Sequence, residues 1–304
     1  MTSSADFAIR THALTKRYGD VGALVDLDLE VAAGEVIGYL GPNGAGKTTT
    51  IRLLLGLIRP SAGRAEIFGV DCHRHPVEAH QRVAVVPGEA NLWPELTGEE
   101  TLHLLGQVHG RVDEAYREEL INRFELDPSK KVRAYSRGNR QKVLLVGALM
   151  SRADLLLLDE PTSGLDPLME QAFRLSVGEA RERGQTVFLS SHVLSEVEAL
   201  CDRVAILRQG RLVESGSLSE MRHLSAVTVE ANVAGAMPDL GGVTGLSGVA
   251  IEGRALHCQV HGPIEPLLAA LMQSGVDSLL IREPSLEELF LALYGRNSHH
   301  PAES

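Results

Sequence analysis

Residues 36–49 read Val36-Ile37-Gly38-Tyr39-Leu40-Gly41-Pro42-Asn43-Gly44-Ala45-Gly46-Lys47-Thr48-Thr49, an apolar run that opens into a glycine-rich turn. The run predicts a buried strand, and Thr49-Thr50-Ile51-Arg52-Leu53-Leu54-Leu55 predicts a helix directly after the turn. Gly41, Gly46, Lys47 and Thr48 meet the spacing G-x-x-x-x-G-K-[ST] in that strand–turn–helix context. Glycines let the backbone wrap a phosphate without Cβ clashes, and its amides face the anion at the positive end of the helix dipole. The pattern sets Lys47 against the β- and γ-phosphates of a nucleoside triphosphate and the Thr48 hydroxyl on its Mg²⁺. The turn alone does not say what the triphosphate drives.

Working outward, residues 83–86, 155–159 and 186–190 are further short apolar runs separated by helical stretches, the pattern of a parallel sheet covered on both faces. Residues 24–31 alternate instead, with Leu27, Leu29 and Val31 on one face and Asp26, Asp28 and Glu30 on the other, which predicts a half-exposed antiparallel strand. Between Pro87 and Arg133 the composition turns polar and helical, and Thr97-Gly98-Glu99-Glu100 supplies a capping box. Residues 204–207 and 211–214 flank Arg208-Gln209-Gly210, a hairpin signal. After Ser217, strands are expected over 226–233, 255–260 and 278–282, and helices over 264–274 and 285–294, the last capped by Ser285 and Glu288. The fold class is therefore α/β: a P-loop NTPase mixed sheet with a helical insertion over about residues 88–150, followed by a small α+β domain over 225–295. Residues 296–304 are polar and are expected to be disordered.

A chain of 304 residues accommodates a large and a small domain, and its formal charge of −11 argues against a general nucleic-acid binder. Cys72, Cys201 and Cys258 are far apart and read as reduced thiols. His73 and His75, or His299 and His300, lack acids or cysteines at ligand spacing, so no transition metal is assigned. Apolar runs stop well short of the roughly 20 residues that span a bilayer. The N-terminal MTSSADFAIR has no basic cluster ahead of an apolar core. A cytoplasmic location is expected.

Leu155-Leu156-Leu157-Leu158-Asp159-Glu160 is an apolar strand ending in two acids, at the edge of a sheet where α/β proteins bind ligands. Asp159 is suited to the Mg²⁺ hydration shell, and Glu160 to orienting and deprotonating an attacking water. An Asp-Glu pair can also simply cap the next helix; the glycine-rich turn favours the chemical reading.

With these residues in place the chain resembles the nucleotide-binding subunits of ABC transporters, over roughly residues 7–216. The resemblance implies ATP as the triphosphate and several further site residues. Tyr18 stands where the family stacks an aromatic ring on adenine, although a lone tyrosine serves equally as core or turn. Tyr135-Ser136-Arg137-Gly138-Asn139 is similar to the LSGGQ segment: Ser136 and Gly138 are kept, while Tyr135, Arg137 and Asn139 depart from the commonest form. In the family this segment binds the γ-phosphate of ATP held by an opposite subunit, so two sites form in a head-to-tail dimer. Asp166, in Pro161-Thr162-Ser163-Gly164-Leu165-Asp166-Pro167, matches the D-loop at the dimer seam, and His192 matches the switch histidine that reaches the γ-phosphate. The family's usual glutamine after the third strand is missing, because Val85-Val86-Pro87 runs into Gly88 and Glu89. Either Glu89 substitutes as a metal ligand or the metal keeps an extra water.

The resemblance also implies partners: a second ATP-binding subunit, a copy of this chain or a homologue, and a separate integral membrane permease that holds both at the cytoplasmic face. Residues 88–97 and 284–290 are most similar to exporters of the daunorubicin or tetronasin resistance type, which implies efflux of a drug, antibiotic or lipid-like compound. Leu92 and Trp93 suit contacts with the permease, and core packing explains them almost as well. Other cargo such as lipid or polysaccharide is the alternative; a soluble ATPase acting on DNA or ribosomes lacks the expected coiled coil, basic face or second P-loop. The region after Ser217 suits a dimer brace, a regulatory sensor or a docking element. Truncation near Ser217 separates these: a monomer by sizing indicates a brace, and a dimer that no longer reaches membranes indicates docking.

Overall fold

The computed structural model describes residues 7–110, 112–223 and 226–288, and divides the chain into two compact units, Met1–Gly216 and Ser217–Ser304. The apolar runs of the first unit form β3 (Val36–Leu40), β6 (Val83–Val86), β7 (Leu155–Asp159), β8 (Thr186–Ser191) and β9 (Arg203–Arg208), completed by β10 (Arg211–Ser217). They make a six-stranded sheet in the order β10-β9-β3-β8-β7-β6, with parallel pairing from β9 through to β6. All five residues of β3 and all five of β7 are buried, which explains why these strands lack alternation. Each of Leu155, Leu156, Leu157 and Leu158 is at most 1% exposed, and burial of a leucine contributes roughly 2 kcal/mol. Between β9 and β10, Gln209 (φ 48°) and Gly210 (φ 77°) supply the two left-handed residues of a tight hairpin.

A second sheet, antiparallel in the order β2-β1-β4-β5, comprises β1 (Phe7–Tyr18), β2 (Val21–Ala32), β4 (Ala62–Ile67) and the short β5 (Val70–Asp71). Leu27, Leu29 and Val31 are buried as their alternation predicts, but the strand is longer than residues 24–31 and its partner β1 has no clean period. The cause is a pair of bulges. Ala13 (φ 44°) and Asp26 (φ 49°) each insert a residue, so Leu24 and Leu27, three apart, both face the core and Leu14 pairs with Leu27.

Helices α1 (Lys47–Leu54), α2 (Pro76–His80), α6 (Pro167–Glu182) and α7 (Leu194–Leu200) connect the strands, and α3 (Gly98–His109), α4 (Glu114–Arg123) and α5 (Arg137–Leu149) fill the interval between β6 and β7. The capping box forms: Thr97 N–H donates to Glu100 Oε2 at 2.8 Å, and Glu100 N–H donates to Thr97 Oγ1 at 3.1 Å. A polar cluster ties α4 to α6. Tyr116 Oη donates to Glu179 Oε2 (2.9 Å), Arg123 Nη2 donates to Glu179 Oε1 (2.5 Å), and Arg123 Nη1 donates to Ser176 Oγ (2.9 Å).

In the second unit, after α8 (Leu218–His223), strands β11 (Val227–Val233), β12 (Leu246–Glu252), β13 (Ala255–Val260) and β14 (Val276–Arg282) form an antiparallel sheet in the order β12-β13-β11-β14. Leu267 and Leu271 of α9 (Glu265–Gln273) pack on Val229, Ala231, Leu256 and Cys258. Strand β12 carries no sequence signal because Gly245 and Gly248 take positive φ and its register shifts between Ser247 and Ala250. Ser285 and Glu288 close their reciprocal cap, with Ser285 N–H donating to Glu288 Oε2 (2.8 Å) and Glu288 N–H to Ser285 Oγ (3.3 Å). The rest of the expected 285–294 helix and the 296–304 tail lie outside the described residues. Among the described residues no helix is long and apolar enough to cross a membrane.

The hydrogen bond from Arg123, aided by one from Tyr116, holds the Glu179 carboxyl below the usual carboxylate range. A depressed folded value means that its stabilisation is complete above the unfolded value of about 4.3 and is lost as pH falls through the folded one. Glu179→Ala is expected to lower stability by about 1–2 kcal/mol at pH 7, allowing for partial exposure, and by much less near pH 3. Denaturant melts at the two pH values check this.

Candidate active site

The turn after β3 lifts its crest, Pro42, Asn43 and Gly44, into solvent, while Gly41, Ala45 and Lys47 are buried. Gly46 caps α1 with φ 113° and ψ 1°, and a Cβ there would stand 2.6 Å from Ala23 O. Only glycine fits that position. The chain then enters α1 with Lys47, Thr48 and Thr49 in its first turn. Lys47 is 6% exposed; its Nζ donates to Gly41 O at 2.6 Å and Pro42 O at 3.4 Å, and lies 3.5 Å from Glu160 Oε1.

Neighbouring strands bring the acids to the same edge. Asp159, the last residue of β7, is 4% exposed, and its carboxylate accepts from Thr48 Oγ1 through Oδ2 (3.0 Å) and from Ser190 Oγ through Oδ1. Those two hydroxyls satisfy the buried carboxylate with hydrogen bonds. Ser190 was not among the residues expected from sequence. Its signal is a polar side chain at the end of an apolar strand, made meaningful by the β7–β8 register that pairs Asp159 with Ser190.

Glu160 has φ 50°, a left-handed backbone for a residue with a side chain, and its N–H donates to Ser190 O at 3.0 Å. This turn sends the carboxylate back over the sheet edge. There Oε2 lies 2.5 Å from His192 Nδ1, while Oε1 faces Lys47. His192 follows β8, and its side chain is 57% exposed. The adjacent strands β3, β8 and β7 thus deliver Lys47 and Thr48, His192, and Asp159 and Glu160 to one place. A carboxylate held between an ammonium and an imidazole can accept a proton from a water placed against it.

The remaining expected residues lie elsewhere. Tyr18, at the end of β1, is 50% exposed with Lys16 Nζ 4.9 Å from its ring centroid. The Glu89 side chain is exposed and accepts from Asn91 Nδ2 at 3.4 Å. It is Gly88 that borders the acid: a Cβ there would stand 3.3 Å from Asp159 Oδ2. Ser136 caps α5 by accepting from Asn139 N–H (3.3 Å), and Asp166 caps α6 by accepting from Leu168 and Met169 N–H (both 3.1 Å).

Ser136, Gly138 and Asp166 share no hydrogen bond with Lys47, Thr48, Asp159, Glu160 or His192 among the described residues. The first turn of α5 instead grips the loop that follows Glu160. Arg137 Nη2 donates to Ser163 Oγ (2.6 Å), Gln141 Nε2 donates to Pro161 O (2.9 Å), and a Cβ on Gly138 would stand 2.6 Å from Gly164 O.

A family model described as ABC transporter matches residues 24–163. The daunorubicin resistance ATP-binding protein DrrA3 of Streptomyces coeruleorubidus is 38% identical over 307 residues, covering 96% of this chain and 97% of that protein. The Nod factor export ATP-binding protein I of Cupriavidus pinatubonensis is 36% identical over 290 residues, covering 92% of this chain and 89% of that protein. A solved structure of an ATP-binding subunit of an ABC transporter superposes with a TM-score of 0.66 at 33% identity, over 71% of this chain and 92% of that one. With the turn, the paired acids and the histidine meeting at one sheet edge, and with similarity of this depth along nearly the whole chain, this protein belongs to the ATP-binding, ATP-hydrolysing subunits of ABC transporters, which dimerise and work with membrane permeases.

Proposed function

We propose that this chain powers export of a drug, antibiotic or lipid-like compound through a separately encoded permease, hydrolysing ATP at sites shared by two ATP-binding subunits on the cytoplasmic face of the membrane. The observation that carries the hydrolytic part is the Glu160 carboxylate held between Lys47, 3.5 Å away, and His192, 2.5 Å away, beside the Thr48–Asp159 pair. Cargo rests on the near full-length likeness to proteins named for daunorubicin resistance and Nod factor export.

In this reading the amides of residues 41–49 and the Lys47 ammonium cradle the phosphates, and Tyr18 stacks beneath the base. Glu160 orients the attacking water and takes its proton. His192 steadies Glu160 and donates to the γ-phosphate. Ser136, Gly138 and Asp166 complete the site of the facing subunit. Residues 7–217 form the ATP-binding domain, with its helical part at about 88–150, and residues 225–295 an accessory domain.

The donor set fits Mg²⁺. The Thr48 hydroxyl and the Asp159 carboxylate are hard oxygens already in contact, and the bare backbone of Gly88 leaves space beside Asp159 Oδ2. Mg²⁺ keeps several waters and needs few protein ligands, so Thr48 and Asp159 would hold it, with Glu89 or a further water in the position of the missing glutamine. When bound it supplies neutralisation of the charge developing on the phosphate oxygens.

Glu160→Gln, assembled with the permease, is expected to lower ATP turnover by about a hundredfold or more while ATP stays bound in a stable dimer. Turnover at the parent rate removes Glu160 as the base. For cargo, deletion of this chain from cells carrying the permease is expected to raise accumulation of the exported compound; unchanged accumulation of candidate drugs argues against drug efflux.

A further inference from the structure

Glu196, in the first turn of α7, is a carboxyl that the reaction described above does not use. It is 3% exposed and belongs to no ion pair among the described residues. Its Oε2 accepts a hydrogen bond from Ser191 Oγ at 2.9 Å, and its Oε1 is buried without a hydrogen-bond partner. The Ser191 hydroxyl is used twice, because it also accepts from Val193 N–H at 3.0 Å. His192 is the residue between the two positions that this hydroxyl ties together. Its own side chain is more than half exposed, and Nδ1 reaches Glu160. An imidazole this exposed depends on its backbone for placement, and the residues on either side of it are tied through the Ser191 hydroxyl to Glu196.

The acid is an unusual choice for a pin. A buried carboxylate without a cation is unfavourable, and the groups that face Glu196 deepen the problem: Glu160 from the end of β7 and Glu170 from α6 carry the same charge, with Ser191 and Thr162 as hydroxyl neighbours. Burial, first among these causes, holds the Glu196 carboxyl above the ordinary carboxylate range. An acid in the first turn of a helix also offsets the helix dipole, and that bland role predicts no effect on turnover beyond stability.

We infer that Glu196 is a positioning residue for ATP hydrolysis: through the Ser191 hydroxyl it fixes where His192 stands against Glu160. The inference rests on the proposed roles of Glu160 and His192. The test uses the full chain assembled with its permease and compares Glu196→Leu, Glu196→Gln and Ser191→Ala with the parent. Glu196→Leu and Ser191→Ala are expected to lower kcat about tenfold or more with KM for ATP within about twofold. Glu196→Gln, whose amide oxygen still accepts from Ser191, is expected to retain at least about a third of the parent kcat.

A second readout needs no turnover. In spectra of ring-labelled histidine, with the His192 signal assigned by His192→Ala, that signal is expected to move in Ser191→Ala and Glu196→Leu and to stay in place in Glu196→Gln. Unchanged kcat and an unchanged His192 signal in Ser191→Ala overturn the inference, as does a Glu196→Gln enzyme as impaired as Glu196→Leu. If Glu196→Leu fails to fold, Ser191→Ala carries the test alone. Glu160→Gln and His192→Ala enzymes that turn over at the parent rate refute the underlying roles instead, and the His192 signal reports the geometry in either case.

Discussion

A buried carboxylate at the end of an apolar strand must be given hydrogen bonds, and the arrangement of this sheet edge follows from how Asp159 obtains them. One comes from Thr48 at the start of α1 and the other from Ser190 on β8. The pair locks the glycine-rich turn to β7 and β7 to β8, so Thr48, Asp159 and Ser190 are fixed relative to one another by the demands of a single carboxylate. Glu160 inherits its position from the same constraint. Its N–H is anchored to Ser190 O, one atom group away from the hydroxyl that serves Asp159.

How much of this is legible in the sequence depends on whether a residue's surroundings are local. The turn at residues 41–49 and the leucines of β7 announce themselves, because a glycine pattern and a continuous apolar run carry their meaning without a partner. β1 and β12 do not. Bulges at Ala13 and Asp26, and glycines at 245 and 248, break the alternation from which a strand is recognised. Ser190 and Glu196 are silent for a different reason: each is a small part of an ordinary segment until the β7–β8 register or the fold of α7 gives it a neighbour. Gly88 stands in the sequence where a glutamine is expected, but the contact of the Glu89 side chain with Asn91 and the approach of Gly88 to Asp159 depend on the path of the loop in space.

The helices between β6 and β7 meet their neighbours through two chemically different kinds of contact. At α4 and α6 the link is ionic, centred on Glu179 with Arg123 and Tyr116, and it weakens when that carboxyl is protonated. At α5 and the loop 161–164 the link is largely steric and runs to backbone. The second leads directly into Glu160, so a displacement of α5 has a short covalent path to that carboxylate.

That second link bears on how the protein can change over evolutionary time. Gly138 and Gln141 meet the carbonyls of Gly164 and Pro161, groups that every amino acid brings with it. Those two contacts do not depend on the loop's side chains, whereas Ser163, which accepts from Arg137, and Gly164, at φ 85°, are tied to their own identities. The partner position is tied as well: any residue at 138 with a Cβ collides with a carbonyl 2.6 Å away. Divergence around this glycine, as at Tyr135, Arg137 and Asn139, can accumulate without the glycine itself ever becoming substitutable.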